Sequence, residues 1–223
     1  MGGKTFDGLS RRHTTAELNI KMAEVIELLK VFFSDFAQPL FLKNKKDHGD
    51  LDLIVAINEG RRPALESFIS QSYNDYKFSE REISFLHGDL HVDLIIINKK
   101  WIDSAVNYFS YGDLGNLLGM LARSVGYRLS EQGIFETLKA EDCAPMARNY
   151  ITHNWDESLE LLGFSRTHIK KFTNGFSDAI DMFNFIKSSK LYDKQIFKLE
   201  NMNSAQRRRF KKRPNQKLFL EHL

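Results

Sequence analysis

The apolar positions of this chain change period as it is read from its N-terminal end. In HTTAELNIKMAEVIELLKVFF, Leu18, Met22, Val25, Ile26 and Leu29 recur at helical spacing behind Thr14 and Glu17, the spacing of a capping box, which predicts a first helix. PLFLK (39–43) is expected as a short apolar strand, and LDLIVAI (51–57), behind a turn-forming His48-Gly49, as a second. RRPALESFISQSY returns to helical character with proline where a first turn tolerates it. SFLHGDLHVDLIIIN (84–98) reads as a third strand, and two-residue alternation places His91, Asp93, Ile95 and Ile97 on one of its faces.

From Trp101 onward the pattern becomes mostly helical. LGNLLGMLARSVGY is expected as a helix ended near Gly126, and LSEQGIFETL as a small β or turn element. WDESLELLGF reads as a helix with Asp156 near its cap and Gly163 at its end, and FSDAIDMFNFIKSS as another. The pattern predicts an α+β chain: residues 1–105 as an α/β half with a leading helix, and 106–223 as a mainly helical half.

Composition changes this picture in only a few places. The apolar share of 42% over 223 residues is enough for a real core, and 18 phenylalanines make that core aromatic-rich. A net charge of +3 implies no partner by itself, but RRRFKKR (207–213) concentrates positive charge near the end. One cysteine, Cys143, excludes an internal disulfide framework and a Cys-based zinc site, and a reducing compartment is expected. MGGKTFDGLSRRH has no apolar signal region, and no run approaches the roughly 18 apolar residues of a membrane span. A soluble, cytoplasmic protein with no membrane partner is the expectation.

The chemistry concentrates in the carboxylates. Asp50 and Asp52, at i and i+2 of a strand, project from one face, and Asp93 sits ahead of a hydrophobic tail that would seat it centrally in a sheet. If the two strands are neighbours, three carboxylates converge, and they cannot all stay ionised without a counter-charge. Hard oxygen ligands suit Mg²⁺ or Mn²⁺, and two such ions can activate a hydroxyl and stabilise a departing pyrophosphate. An Asp-x-Asp pair alone is more often the start of a solvated edge strand or a turn; it is Asp93, in HVDLIII, where an unpaired charge would be costly, that turns the reading toward metal. The histidines His48, His87 and His91 flank the carboxylates without the paired helical spacing of a zinc site, so His91 is expected as packing or as an outer contact of the site, and the others as turn residues.

HGDLDLIV, with HVDLIII some forty residues on, resembles the palm of the polymerase-beta-like nucleotidyltransferase superfamily, with its Gly-Asp-x-Asp on one strand and a third Asp on a later one. The resemblance implies that Asp50 and Asp52 hold both metals, and that Asp93 holds the catalytic metal and helps activate the attacking hydroxyl, with Gly49 at the nucleotide. YFSYGDLGN (108–116) is similar to the Tyr-Phe-x-x-x-Asp-x-x-Asn stretch of family X DNA polymerases, VGYRLSEQGIF to that family's thumb, and WDESLELLGF to the thumb's later helix. The likeness covers residues 35 to 165 and implies a palm followed by a thumb-like domain, with Tyr108 and Phe109 beneath the sugar and Asp113 and Asn116 near the base. Read physically, Tyr108 and Phe109 offer a flat apolar platform, and Asp113 and Asn116 fall one helical turn apart. The same aromatics, with Tyr111, also fit simple packing.

The chain departs from that family in two places. Pro39-Leu40-Phe41 stands where the superfamily has a Gly-Ser pair, so Lys43, Lys45 and Lys46 are expected either to reach the triphosphate or to form a solvated loop. A single leading helix stands where many family X enzymes carry a lyase domain. Arg207, Arg208, Arg209, Lys211, Lys212 and Arg213 are expected either to contact nucleic-acid phosphates or to form a solvated helix face. The expected activity is nucleotidyl transfer from a nucleoside triphosphate, with two Mg²⁺ or Mn²⁺ ions, to a nucleic-acid 3′ end. The alternatives are transfer to tRNA, a protein or a small molecule, and a palm that binds nucleic acid without catalysis.

Overall fold

The computed structural model describes residues 5–6, 8–138 and 147–223; Cys143 lies outside them, as do the side chains of residues 138, 147, 205, 209, 211, 212 and 214. The chain is α+β and forms two compact units: residues 1–39 with 45–102, and residues 40–44 with 103–223.

The first unit contains β1 (His13–Thr14), α1 (Thr15–Leu29), β2 (Phe33–Ala37), β3 (Asp47–His48), β4 (Leu51–Ile57), α2 (Arg62–Ser72), β5 (Tyr76–Phe78), β6 (Glu82–His87) and β7 (Leu90–Ile96). Helix α1 begins as its sequence predicts: the Thr14 hydroxyl accepts from the Glu17 N–H, and the Glu17 carboxylate accepts from the Thr14 N–H at 2.7 Å. Pro63 lies in the first turn of α2. The main sheet runs β2-β4-β7-β6-β5, mixed because β4 and β7 are parallel while the other pairs are antiparallel. Strands β1 and β3 form a separate pair with His13 opposite His48.

The two faces of this sheet differ in kind. Leu51, Leu53, Val55, Ile83, Phe85, Val92 and Leu94 are fully buried on one face. The helices cover that face: Tyr73 at the end of α2 packs on Phe85 with ring centroids 4.5 Å apart, and Glu24 of α1 lies 2.9 Å from His87 Nε2. Alternation sends Asp52, Asp93 and Ser84 to the other face.

Three expectations are corrected here. SFLHGDLHVDLIIIN is not one strand but the end of β6 and all of β7, reversed at Gly88-Asp89, where His87 pairs with Leu90 and Gly88 takes a φ of 64°. His48 is no exposed turn residue; it is fully buried in β3, with Thr15 Oγ1 3.0 Å from its Nε2. PLFLK is no strand, because its backbone bonds elsewhere: Leu40 N donates to Ser110 Oγ (2.8 Å), Leu40 O accepts from Tyr111 N (2.7 Å), and Lys43 N donates to Phe176 O (2.9 Å).

The second unit follows α3 (Ile102–Phe109) with α4 (Leu114–Ser124), a three-stranded antiparallel sheet of β8 (Arg128–Ser130), β9 (Gly133–Leu138) and β10 (Ala147–Thr152), and then α5 (Trp155–Leu161), α6 (Arg166–Asn174), α7 (Ala179–Lys187), α8 (Ser204–Lys212) and α9 (Pro214–Glu221). Helix α6 and strand β10 are additions to the sequence reading. The core is aromatic: Phe164 stacks on Phe185 at 4.3 Å, and Phe197 meets Phe219 edge-on at 4.8 Å. Tyr111 holds a left-handed φ of 58° between α3 and α4, a conformation that costs on the order of 1 kcal/mol or more. Burial of its ring and a 2.9 Å hydrogen bond from its hydroxyl to Phe172 O offset that cost.

Candidate metal centre

Register builds the site. Parallel pairing sets Asp52 directly opposite Asp93, and antiparallel pairing sets Ser84 opposite Asp93 from the other side. Asp50 stands one residue before β4, and one ligand atom from each of Asp50, His91 and Asp93 lies within 4.8 Å of the others. Ser84 Oγ donates to Asp93 Oδ1 at 2.5 Å and also lies 3.1 Å from Glu82 Oε1. His91 Nε2 sits 3.0 Å from the same Asp93 oxygen, and the imidazole meets the Phe6 ring at a right angle with centroids 5.1 Å apart. The condition that the sequence left open, neighbouring strands, is met in β4 and β7.

Crowding these acids perturbs them. Burial and then the charge of Asp93 push the Asp50 carboxyl above its ordinary range. Burial and the charges of Asp50 and Asp93 push Asp52 up to about 7. The ammonium of Lys45 pulls both down without cancelling the rise. Lys45 keeps an exposed surface, yet the protein crowded around its ammonium lowers its own affinity for the proton, against the pull of Asp50 and Asp52. For His91, burial opposes the charged ring, but contact with Asp93 and the charges of Asp93, Asp50 and Asp52 prevail and move it up. His48 is held down at about 4 by burial and by the Lys45 charge. Carboxylates that hold protons this strongly lack positive charge. An oxygen-rich donor set with one imidazole fits a divalent cation in this place.

The remaining predicted residues divide between the units. Gly49 forms the bend just before Asp50, and Lys46 is exposed near it in sequence. Lys43 belongs to the second unit, in the turn that bonds to Phe176. Tyr108 and Phe109 meet at 86°, so they form no single flat platform; the edge-to-face contact is the one that ring quadrupoles favour. Asp113 precedes α4, and its carboxylate receives Arg213 Nη1 at 2.5 Å. Asn116 lines a small cavity with Tyr108, Arg123, Arg128, Gln206 and Gln216.

The basic run lies on α8, which starts in a capping box between Asn203 and Gln206. Arg207 and Arg208 are exposed, Arg213 is engaged with Asp113, and the side chains of Arg209, Lys211 and Lys212 lie outside the described residues. The sequence pattern did not single out Ser84, and it placed His91 outside the ligand set, whereas the structure brings both against Asp93. The Gly88-Asp89 turn was the available signal, since drawing it as a hairpin aligns Ser84 with Asp93.

Comparison with known protein families and with curated proteins finds no match to this chain. No helix among the described residues is long and apolar enough to cross a membrane.

Proposed function

We propose that this protein is a metal-dependent nucleotidyltransferase that moves a nucleotide from a nucleoside triphosphate to a hydroxyl acceptor, with a nucleic-acid 3′ end as the acceptor. The observation that carries this reading is the cross-strand register of Asp52 and Asp93 together with the approach of Asp50 to Asp93. In this reading the first unit serves as the palm and the second as the thumb.

Asp50, Asp52 and Asp93 hold the divalent cations, Mg²⁺ or Mn²⁺. Bound there, such ions offset the repulsion among the carboxylates and supply positive charge to phosphate oxygens. Asp93, oriented by the Ser84 hydroxyl, accepts the proton of the attacking hydroxyl. The acceptor oxygen bonds to the α-phosphorus as the bond to pyrophosphate breaks, and pyrophosphate leaves. Lys45 places a cation beside Asp50 and Asp52 where triphosphate charge arrives. The exposed Arg207 and Arg208 favour a polyanionic acceptor.

Asp93→Asn tests the reading. Transfer of a labelled nucleotide to a primed duplex should fall by about a thousandfold while thermal unfolding stays cooperative. Undiminished transfer in the folded variant would overturn the mechanism. Transfer to tRNA or protein with none to the duplex would keep the chemistry and reassign the acceptor.

A further inference from the structure

His91 stands at the carboxylates, and nucleotidyl transfer leaves it without a role. It is 2% exposed, and neither ring nitrogen makes an aligned hydrogen bond. A buried imidazole in that condition is costly unless something takes a lone pair. Its Nε2 stands 3.0 Å from Asp93 Oδ1, and Asp50 brings an oxygen within 4.8 Å of both residues. Two adjacent ligands of an octahedral divalent ion at about 2.1 Å lie about 3.0 Å apart, the separation of this nitrogen and oxygen.

We propose that His91 is a direct metal ligand alongside Asp50 and Asp93, so that this position takes a transition-metal dication such as Mn²⁺ or Co²⁺ in preference to Mg²⁺. Carboxylates alone suit Mg²⁺, whereas an imidazole nitrogen adds little for Mg²⁺ and much for first-row transition ions. Ser84 then serves as the outer partner that fixes the Asp93 carboxylate while His91 and Asp50 close the ligand set. The inference rests on the reading of Asp50 and Asp93 as metal ligands. An imidazolium merely paired with Asp93 gives the same distance but puts no nitrogen on the metal, and experiment separates the two.

The full chain is loaded with Mn²⁺ alone and examined by electron spin-echo spectroscopy. Modulation from a coupled ¹⁴N nucleus is expected in the unaltered protein, which requires no variant to fold. In calorimetry, His91→Gln is expected to weaken Mn²⁺ binding at least tenfold and Mg²⁺ binding less than threefold. Bound Mn²⁺ without ¹⁴N modulation overturns the inference and leaves nucleotidyl transfer standing. Equal loss of both metals in His91→Gln overturns it as well, since that is the behaviour of a packing residue. Failure of the chain to bind either metal overturns this inference and the functional reading together.

Discussion

Asp93 and Asp113 are both mostly buried carboxylates, with side chains 15% and 9% exposed, yet they keep different company. Asp113 receives a guanidinium from Arg213, a hundred positions along the chain, at 2.5 Å. Asp93 accepts a hydrogen bond from the Ser84 hydroxyl, lies 3.0 Å from His91 Nε2, and has two more carboxylates beside it. A buried carboxylate served by its own arginine is a structural joint. Beside Asp93, Asp50 and Asp52 stay above their ordinary range despite Lys45, an electrostatic need that a cation from solution can meet.

The largest effect that would break this contrast belongs to Asp52. Asp52→Asn should weaken divalent-cation binding by about tenfold to a hundredfold, read by calorimetry. The same substitution should stabilise the metal-free protein at pH 8 by on the order of 2 kcal/mol in urea unfolding, because it removes a charge that burial and its neighbours oppose. Unchanged metal affinity would remove Asp52 from the site.

The pH dependence sharpens the point. The folded Asp52 holds its proton up to about 7, above its ordinary value, so its contribution is fully present below the ordinary value and is lost as pH rises through about 7. Mn²⁺ should therefore raise the melting temperature more at pH 8 than at pH 5. His48 runs the opposite way: held at about 4, it contributes above the ordinary histidine value and loses that contribution as pH falls toward 4. Asp52→Asn should accordingly shrink the alkaline loss, Asp50 keeping a part of it, and leave the acid one. A metal effect independent of pH would contradict the electrostatic account.

A smaller effect is expected at the other carboxylate. Arg213→Ala strands Asp113 and should cost about 2 kcal/mol, reduced by the partial exposure of the arginine. The double replacement with Asp113→Ala should recover about 1 kcal/mol of that as coupling. Mn²⁺ should rescue neither variant; rescue would make the two sites alike. Thr14→Ala should cost about 1 kcal/mol in unfolding, equally with and without Mn²⁺, because the cap it removes is local.

Local physics made part of this protein legible. The capping box of α1, Pro63 in α2, and Gly126 and Gly163, which take φ values of 88° and 82°, each act within a turn or two of their own position. Alternation likewise set Asp52 and Asp93 on the face opposite the apolar core positions, because side-chain direction in a strand follows from the backbone alone; Asp50, one residue before β4, reaches Asp93 from outside the strand.

What alternation cannot supply is the partner. The parallel register that sets Asp52 against Asp93, the claim of residues 110, 111, 176 and 177 on the backbone of PLFLK and the segment after it, and the reach of Arg213 to Asp113 join positions from tens to more than a hundred residues apart. His48 reads as a turn residue for the same reason, since its burial depends on Thr15 and on the pairing of β3 with β1. The sequence by itself determined which side chains could face one another. Only the tertiary structure decided which of them do, because that choice depends on which distant backbone and side-chain groups satisfy one another once the chain has folded.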